Sequence, residues 1–335
     1  MTEPIKAVAL LSGGLDSTLA IRVVLEQGIE VVAINFSTSF CTCTPKGQGC
    51  SSSRLAADQL GVELVVQVLT DEYYRLLQNP AHGFGRAMNP CIDCRILKLQ
   101  KAAELMRERG AGFLITGEVL GQRPMSQRRD ALRIIDRDSG LEGLILRPLS
   151  ARQLPITTPE KLGWVDRERL LSFSGRSRKP QINLAEQFGI HDYPCPAGGC
   201  LLTEIEFARK LKDLIAWKPD FSTHDLNLLK IGRHFRLPAG SRLLVGKDDH
   251  ENQRLLALAQ SSELVLRTEK VPGPAALIRN SDGQDEVNLA AAITGRYVSK
   301  GQGPITFRLG RGPEDPGREI VIEPLAPEAV EQYRI

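Results

Sequence analysis

Seven cysteines are the residues of this chain best suited to metal binding or sulfur chemistry, and they fall into three groups. The groups are Cys41, Cys43 and Cys50; Cys91 and Cys94 in NPCIDCR; and Cys195 and Cys200 in YPCPAGGC. Such short spacings, inside loops rich in glycine and proline, favour ligands or reactive thiols over the buried, inert role of most single cysteines. The odd number of cysteines argues against a disulfide framework.

The stretch SGGLDS, residues 12–17, has the composition of a phosphate-binding loop. Its two adjacent glycines let the backbone approach a phosphate closely, and its serines offer hydroxyls. The helix predicted to follow presents free N–H groups and a positive dipole. The loop lacks the lysine of a Walker A motif, so the sequence does not favour transfer of a γ-phosphate.

The elements that must position these residues alternate between apolar strands and amphipathic helices. This alternation predicts an α/β fold, a doubly wound parallel sheet with helices on both faces. Ligands bind at the carboxyl ends of the strands in such sheets, where the sequence places SGGLDS, NFSTSFCTC and TGEVLGQ. We expect this domain to span residues 1–215. Residues 216–335 are expected to form a second, smaller α+β domain of short strands and two helices.

Composition excludes two classes of protein. With 42% hydrophobic and 25% charged residues the chain is neither disordered nor membrane-bound. No apolar run approaches the ~20 residues of a membrane helix, and the start MTEPIKAVALL lacks the layout of a signal peptide. We therefore expect a cytoplasmic protein with no membrane partner, a compartment in which disulfides are rare.

Positive charge is concentrated locally, since the net charge is only +3. The first basic segment, QRPMSQRRDALRIIDR, contains Arg123, Arg128, Arg129 and Arg133, and the second, FSGRSRKP, contains Arg176, Arg178 and Lys179. A basic stripe of this kind is usually a solvated face. Because the first segment directly follows TGEVLGQ, we interpret it as an RNA-binding surface that contacts phosphates, and the second segment is a looser candidate for the same role.

A strand, then SGGLDS, then a helix near the amino terminus resembles the PP-loop ATP pyrophosphatases, which bind ATP by its pyrophosphate and transfer AMP to a carbonyl oxygen. The resemblance implies that the loop binds ATP and that Asp16 lies near Mg²⁺. It also implies that the end of the second strand and the TGE segment lie close to the nucleotide. The ATP-binding residues implied are Ser12, Gly13, Gly14, Asp16, Ser17, Asn35, Phe36 and Gly117.

Three further segments resemble tRNA thiouridine synthetases, a branch of the same superfamily. NPCIDC and CPAGGCLLTE are similar to segments that carry the two catalytic cysteines of 2-thiouridine synthetases, and ITGEVLGQRPMSQ is similar to a segment of 4-thiouridine synthetases. By this resemblance Cys94 and Cys200 are catalytic together with Asp16. Cys91, Cys94 and Cys200 are the implied ligands of a [4Fe-4S] cluster, with Cys195 as the alternative to Cys200.

Two other roles for these cysteines stay open. One is a persulfide carrier with a resolving partner that closes a disulfide. The other is a structural zinc site, which requires four ligands. Cys41, Cys43 and Cys50 could join Cys195 in such a site or act as relay thiols, and no metal is assigned to them.

The function expected from the resemblance is ATP-dependent thiolation of tRNA, which adenylates a uridine carbonyl and replaces its oxygen with sulfur to give 2-thiouridine or 4-thiouridine. The expected partners are tRNA and a sulfur donor, either sulfide or a carrier of the cysteine desulfurase type. A segment near residues 228–258 resembles the small RNA-binding domain at the end of ribosome quality-control proteins. Its basic residues suggest contact with an RNA backbone, with a purely structural role as the alternative; they are Lys230, Arg233, His234, Arg236 and Arg242. Alternative interpretations are an amidating synthetase with structural zinc and a non-catalytic RNA-binding protein.

Overall fold

A computed structural model describes residues 5–41, 51–193, 199–268, 270–281, 283–298 and 303–335. Contacts divide the chain into two compact units, Met1–Glu204 and Ile205–Ile335. The boundary predicted at residue 215 falls inside a helix, Ile205–Trp217, that belongs to the second unit. None of the helices in the described ranges is long and apolar enough to cross a bilayer.

The first unit is a parallel sheet of five strands in the order β3-β2-β1-β4-β5. Its strands are β1 (Lys6–Leu10), β2 (Glu30–Thr38), β3 (Glu63–Leu69), β4 (Phe113–Thr116) and β5 (Ile145–Leu146). Its helices are α1 (Leu15–Leu25), α2 (Ser51–Leu60), α3 (Asp71–Gln78), α4 (Cys91–Glu108), α5 (Arg129–Asp138), α6 (Thr158–Lys161) and α7 (Lys179–Gln187). This confirms the predicted α/β class.

The central strand β1 consists almost entirely of apolar residues because neighbours pair with it on both sides. Val8 pairs with Val32 of β2 and with Leu114 of β4, and it is fully buried. The chain passes from β1 to β2 on one side and reaches β4 on the other, so the order of the strands reverses here. The crevice beyond the carboxyl end of β1 is therefore the expected ligand site of the sheet.

Helix α4 begins within NPCIDCR, at Cys91, so both cysteines of that stretch lie in its first turn. Pro90 is its N-cap residue, and a proline there has no N–H group that would need a helical partner. The basic segment after TGEVLGQ is helical only from Arg129, and residues 121–128 form turns.

The second unit is an antiparallel sheet of six strands in the order β11-β10-β8-β9-β7-β6, which confirms the α+β prediction. The strands are β6 (Arg233–Arg236), β7 (Arg242–Val245), β8 (Leu264–Thr268), β9 (Ala276–Arg279), β10 (Ile305–Arg311) and β11 (Arg318–Ile322). The helices are α8 (Ile205–Trp217), α9 (Thr223–Leu229), α10 (Asp249–Leu258), α11 (Gln284–Gly295) and α12 (Pro327–Glu331), more than the two that were predicted.

Candidate active site

The SGGLDS loop makes its turn between β1 and α1 as predicted, and Gly13 is essential to its shape. Gly13 has a φ of +76°, which residues with a side chain rarely adopt. A Cβ at this position would also lie 2.4 Å from the backbone carbonyl carbon of Ser52, at the start of α2. The loop therefore closes against a second helix start, and only glycine fits between them.

Hydrogen bonds hold the loop in this conformation. The Ser17 hydroxyl donates to the Gly14 carbonyl at 2.8 Å and lies 3.1 Å from the Ser12 hydroxyl. The buried amide of Asn35 donates to the Leu11 carbonyl at 2.7 Å, which ties the end of β2 to the loop. Asn35 thus lies next to the loop, as expected for residues at the end of this strand.

The TGE segment packs directly on the start of α1. A Cβ at Gly117 would lie 2.5 Å from the backbone nitrogen of Ser17, so only a glycine allows this approach. Phe36 lies in β2, two residues before the end of the strand, and is buried. The structure thus brings Gly117 to the loop, whereas Phe36 is mainly a core residue of the strand.

Asp16 is the centre of a polar network that the sequence did not predict. Its Oδ2 accepts from the Gln122 amide at 2.8 Å and forms an ion pair with Arg178 at 3.4 Å. Gln122 in turn accepts from the Gln181 amide at 3.2 Å, and Gln181 is fully buried. Arg178 belongs to the second basic segment, the looser candidate for RNA binding, but its guanidinium pairs with the Asp16 carboxylate of the loop.

Several buried polar atoms of this network have no hydrogen-bond partner among the described residues. They are Asp16 Oδ1, Arg178 Nε and Gln181 Oε1, together with Asn35 Oδ1 near the loop. Buried polar atoms are normally satisfied, because leaving one without a partner costs ~1–3 kcal/mol. A cluster of them around one carboxylate fits a site that binds a polar ligand and a cation.

Glu118 forms a buried ionic centre beside the loop. Its Oε2 lies 2.9 Å from Nε of Arg147 and its Oε1 lies 3.0 Å from Nε of Arg95. Burial alone would raise the pKa of Glu118, but the charges of Arg95 and Arg147 outweigh it and lower the pKa below its usual value. Because Arg95 follows Cys94, this ionised carboxylate fixes the start of α4 relative to the TGE segment.

Cys91 and Cys94 lie three residues apart in the first turn of α4, so they share one face of the helix. The Cys91 thiol donates to the Asn89 side-chain oxygen at 3.0 Å. Burial and the neighbouring Cys94 raise the pKa of Cys91, while Arg123 and Arg95 act in the opposite direction. Arg123 therefore lies close enough to influence this thiol.

Cys200 is brought to the same place from the far end of the unit. It forms an isolated antiparallel bridge with Cys41 at the end of β2, and the Leu201 N–H donates to the Phe40 carbonyl at 3.0 Å. Burial, followed by the neighbouring Cys94 and Cys41, raises the pKa of Cys200 to about 11. Cys200 is therefore protonated near neutral pH unless a cation or metal stabilises its thiolate.

Tyr73 of α3 lies at the centre of these thiols. Its side chain is buried and its hydroxyl hydrogen bonds to Cys94. Burial, and then the proximity of Cys94 and Cys200, raises the pKa of Tyr73 well above its ordinary value. The hydroxyl thus stays protonated and can donate to a sulfur atom. No pattern in the sequence points to this residue, because a buried tyrosine is ordinarily a core residue.

Thiols are suitable ligands for a soft metal. In the structure, however, these thiols are engaged in other contacts. Cys91, Cys94 and Cys200 are free thiols, half-buried and within electrostatic reach of one another. Within the described ranges no group of three or more histidine, cysteine or carboxylate side chains is arranged to hold a metal ion. Cys43, Cys50 and Cys195 lie outside those ranges, so the ligand set stays a prediction.

The four arginines predicted to bind RNA are all exposed. Arg128 pairs with Asp130 at 2.9 Å, and Arg129 donates to the Gln153 carbonyl at 3.0 Å. Arg123 and Arg133 lie on the surface before and within α5. Their exposure leaves them accessible to an RNA backbone.

His82 is a further residue near the cysteines that sequence reasoning missed. Its Nδ1 lies 3.0 Å from Asp93, inside the CIDC turn, and its Nε2 lies 2.9 Å from Asp138 at the end of α5. The hydrogen bond to Asp93, only partly offset by burial and reinforced by Asp138, raises the pKa of His82. The side chain thus connects the cysteine-bearing helix to the basic helix α5.

The second unit contradicts part of the predicted basic surface. His234 is 1% exposed and Arg242 is 4% exposed, so neither presents its charge on an open basic surface as predicted. Arg236, from the same prediction, forms a two-pronged ion pair with Asp213, at 2.6 and 3.1 Å. His234 and Arg236 are two residues apart on β6, and Arg242 of β7 pairs with Arg236, so the three side chains share one face of the sheet.

Two family models match the chain, one in each unit. Residues 4–153 match the model described as thiamine biosynthesis protein (ThiI), and residues 232–334 match the NFACT protein RNA binding domain. The tRNA-specific 2-thiouridylase MnmA of Pelotomaculum thermopropionicum is 26% identical over 76% of this chain and 74% of its own length.

Two other proteins are similar to this chain, one over a smaller share of its length and one with a low structural similarity. A probable tRNA sulfurtransferase of Methanothermobacter thermautotrophicus is 26% identical over 58% of this chain, which spans only 43% of that relative. The U34-tRNA thiolase NcsA of Methanococcus maripaludis, solved with its [4Fe-4S] cluster, is 18% identical with a TM-score of 0.31, over 68% of this chain and 72% of its own. The family matches confirm the predicted resemblance to PP-loop tRNA thiolases and to an RNA-binding domain.

Proposed function

We propose that this chain, a PP-loop protein of the tRNA thiolase type with a carboxyl-terminal domain of the NFACT RNA-binding type, uses ATP to replace a uridine carbonyl oxygen of tRNA with sulfur. One observation carries the proposal: the adjacent residues Gln122 and Arg123 join the two halves of the chemistry. Gln122 hydrogen bonds to Asp16 of the loop, and the charge of Arg123 acts on Cys91, where it partly offsets the rise that burial causes in the pKa of that thiol. The residues of the activation step and those of the sulfur-transfer step are therefore connected through two adjacent residues.

In the activation step the uridine carbonyl oxygen attacks the α-phosphate of ATP, and the bond to pyrophosphate breaks. The glycines of the loop allow its backbone to contact the pyrophosphate, and Arg178 offsets negative charge beside Asp16. The unpaired Asp16 Oδ1 fits an oxygen ligand of Mg²⁺. When bound, Mg²⁺ would offset the charge of the phosphates.

In the second step a sulfur nucleophile attacks the activated carbon, and the bond from carbon to the AMP oxygen breaks. We assign the delivery of this nucleophile to Cys94 and Cys200, and the Tyr73 hydroxyl, which hydrogen bonds to Cys94, orients that thiol. We assign Cys91, Cys94 and Cys200 as the thiolates that hold a [4Fe-4S] cluster, with Cys195 as the alternative to Cys200. Such a cluster, when bound, would supply a binding site for the incoming sulfur.

The substrate contacts follow from the charged surface. Arg123, Arg128, Arg129 and Arg133 are assigned to the tRNA backbone, because they are exposed and follow the TGE segment along the chain. The target base must leave its stack to reach the thiols. Sulfide or a carrier of the cysteine desulfurase type supplies the sulfur, and a protein that acts on tRNA with ATP is expected in the cytoplasm.

The test is anaerobic purification followed by three measurements: ATP–pyrophosphate exchange, iron and sulfide content, and mass spectrometry of nucleosides from treated tRNA. We expect exchange activity, a brown protein with iron and sulfide, and a uridine nucleoside whose mass shows oxygen replaced by sulfur. Cys91→Ala, Cys94→Ala and Cys200→Ala should lose iron and thiolation, whereas Cys195→Ala is the matched control and should retain both.

The outcomes separate the parts of the proposal. A protein that thiolates tRNA but is colourless and free of iron contradicts the cluster and favours a persulfide on Cys94 or Cys200. A protein with structural zinc that transfers ammonia contradicts thiolation and identifies an amidating synthetase. Absence of ATP–pyrophosphate exchange in the presence of tRNA contradicts enzymatic activation altogether.

A further inference from the structure

The second unit contains a cavity of about 220 Å³ that none of the roles above explains. Its chemically distinctive lining residues are Trp217, Lys218, Arg236, Arg242, Arg279 and Asn280. Four of these are cationic, and no carboxylate is among the residues that line the cavity within the described ranges. A wall of this composition attracts an anion.

The carboxylates that pair with these cations are not among the residues that line the cavity. Asp213 pairs with Arg236 at 2.6 Å and with Arg242 at 3.4 Å. Asp225, which is fully buried, pairs with Lys218 at 3.0 Å and with Arg279 at 2.8 Å. The ion pairs hold the cationic side chains in place without occupying the cavity, so the positive groups are preorganised for a ligand.

Arg242 is the residue with the most to gain from an anion. It is 4% exposed, and its Nε makes no hydrogen bond among the described residues. Burial, only partly offset by Asp213 and reinforced by the nearby Arg236 and Arg279, lowers the pKa of Arg242 to about 10. The guanidinium remains charged at neutral pH and lines the cavity, so an anion bound there would be attracted by its charge.

Trp217 adds a surface of a different kind. Although it is a large aromatic side chain, it is 59% exposed at the last position of α8. The Arg236 guanidinium stacks on its ring at 4.7 Å, and Gly240 approaches the ring so closely that a Cβ there would lie 3.0 Å from it. The indole is thus held in a fixed orientation while much of it stays open to solvent. A fixed, exposed aromatic ring next to guanidinium groups is the combination that stacks a nucleobase.

We propose that this cavity binds one nucleotide of single-stranded RNA, with its phosphate among Lys218, Arg236, Arg242 and Arg279 and its base on Trp217. The cavity is smaller than the ~300–1,000 Å³ that encloses a whole ligand, so it suits one unit of a longer chain. Asn280 contributes a side-chain amide that can hydrogen bond to a base edge. Trp217 and Lys218 precede residues 232–334, which match the RNA-binding family model. This site rests on the proposed RNA substrate and adds a contact to it.

The test compares full-length variants for binding of a short, labelled, single-stranded oligouridylate. Trp217→Leu should weaken binding about tenfold, or ~1.4 kcal/mol, because stacking of the base is lost. Ile205→Ala is the matched control, since Ile205 is 60% exposed on the same helix but does not line the cavity, and its affinity should equal that of the parent protein. Lys218→Gln should reduce the slope of log affinity against log salt by about 0.7, as expected for one lost contact to single-stranded phosphate.

A second measurement observes the ring directly. The chain has two tryptophans, and Trp164 stacks on Phe113 in the first unit. In a Trp164→Phe background Trp217 is the only tryptophan, and the oligouridylate should quench its fluorescence. Duplex RNA of the same length should quench it less, because its bases are already stacked.

The proposal is overturned if Trp217→Leu binds the oligouridylate as tightly as the parent, or if saturating RNA leaves the Trp217 fluorescence unchanged. It is also overturned if a phosphoserine peptide binds more tightly than RNA and loses affinity in Trp217→Leu. Each of these results leaves tRNA thiolation to be measured separately, so the thiolase function can stand when this site fails. If thiolation itself is absent but the oligouridylate quenches Trp217, the site stands and the enzymatic function fails.

Discussion

At the scale of single residues, the structure changes the role of Arg178 more than that of any other predicted residue. The sequence grouped it with Arg176 and Lys179 in a basic loop, and a basic loop suggests contact with RNA. The chain bends back at Ser174, which forms an isolated parallel bridge with Leu120. This bridge brings Arg178 to Asp16, 162 positions away in the sequence.

We expect Arg178→Gln to lower the rate of ATP–pyrophosphate exchange by at least about tenfold, since a charge-assisted contact is worth ~1.5–3 kcal/mol. Arg176→Gln removes the same charge two positions earlier, from an exposed side chain, and is the matched control. Equal exchange rates in the two variants would show that Arg178 does not act on the nucleotide. Both variants should melt at the temperature of the parent protein.

At the scale of elements, the short helix α9 is fixed at its start by one carboxylate. Asp225 Oδ2 accepts from the Ser222 backbone N–H at 2.7 Å and from the Lys218 ammonium at 3.0 Å, and its Oδ1 pairs with Arg279. Burial raises the pKa of Asp225, but these partners outweigh it and hold the pKa well below its usual value. Asp225 thus joins α8, α9 and β9 through a single side chain.

The lowered pKa of Asp225 predicts a dependence of stability on pH. The carboxylate contributes stability that is fully present above its unfolded pKa of ~3.9 and is lost as the pH falls through the folded pKa. Asp225→Asn should therefore lower the free energy of unfolding by ~3–5 kcal/mol at pH 7, because it leaves buried cations without their partner. The difference between variant and parent should shrink as the pH falls below about 4. Urea unfolding followed by circular dichroism at several pH values measures it, and a difference that does not change with pH would contradict this role.

At the scale of the whole molecule, the position of α8 decides where the second unit begins. Its apolar face is buried through Phe207, Leu211 and Leu214. Its polar groups bind within the same unit, where the Lys210 ammonium donates to the Gly232 carbonyl and the Lys210 carbonyl accepts from Arg242. A boundary inside this helix would divide one folded unit.

Two truncated proteins test this boundary. Residues 205–335 should fold and unfold cooperatively on their own, because they keep α8 whole. Residues 216–335 lose the buried Phe207, Leu211 and Leu214, which are worth ~1.5–3 kcal/mol each, so this fragment should be unfolded or far less stable. Thermal melts by circular dichroism compare the two, and equal stability would place the true boundary after α8.

The sequence by itself determined the features that depend on local spacing. The glycine loop, the alternation of strands and helices, and the pairing of Cys91 with Cys94 on one helix face all arise from residues close together in the chain. The resemblance to PP-loop thiolases rests on the same short motifs, and the family matches confirm it. Local rules suffice here because a turn and a helix face are fixed by neighbouring residues.

Only the tertiary structure decided which distant residues meet. It placed Tyr73 and Cys200 at the thiol of Cys94, and it buried His234 and Arg242, which the sequence presented as surface charges. A charged side chain is buried or exposed according to the partners that the fold supplies, and those partners come from remote segments. Spacing along the chain carries no record of them, so only the folded molecule shows the contacts that complete the candidate site.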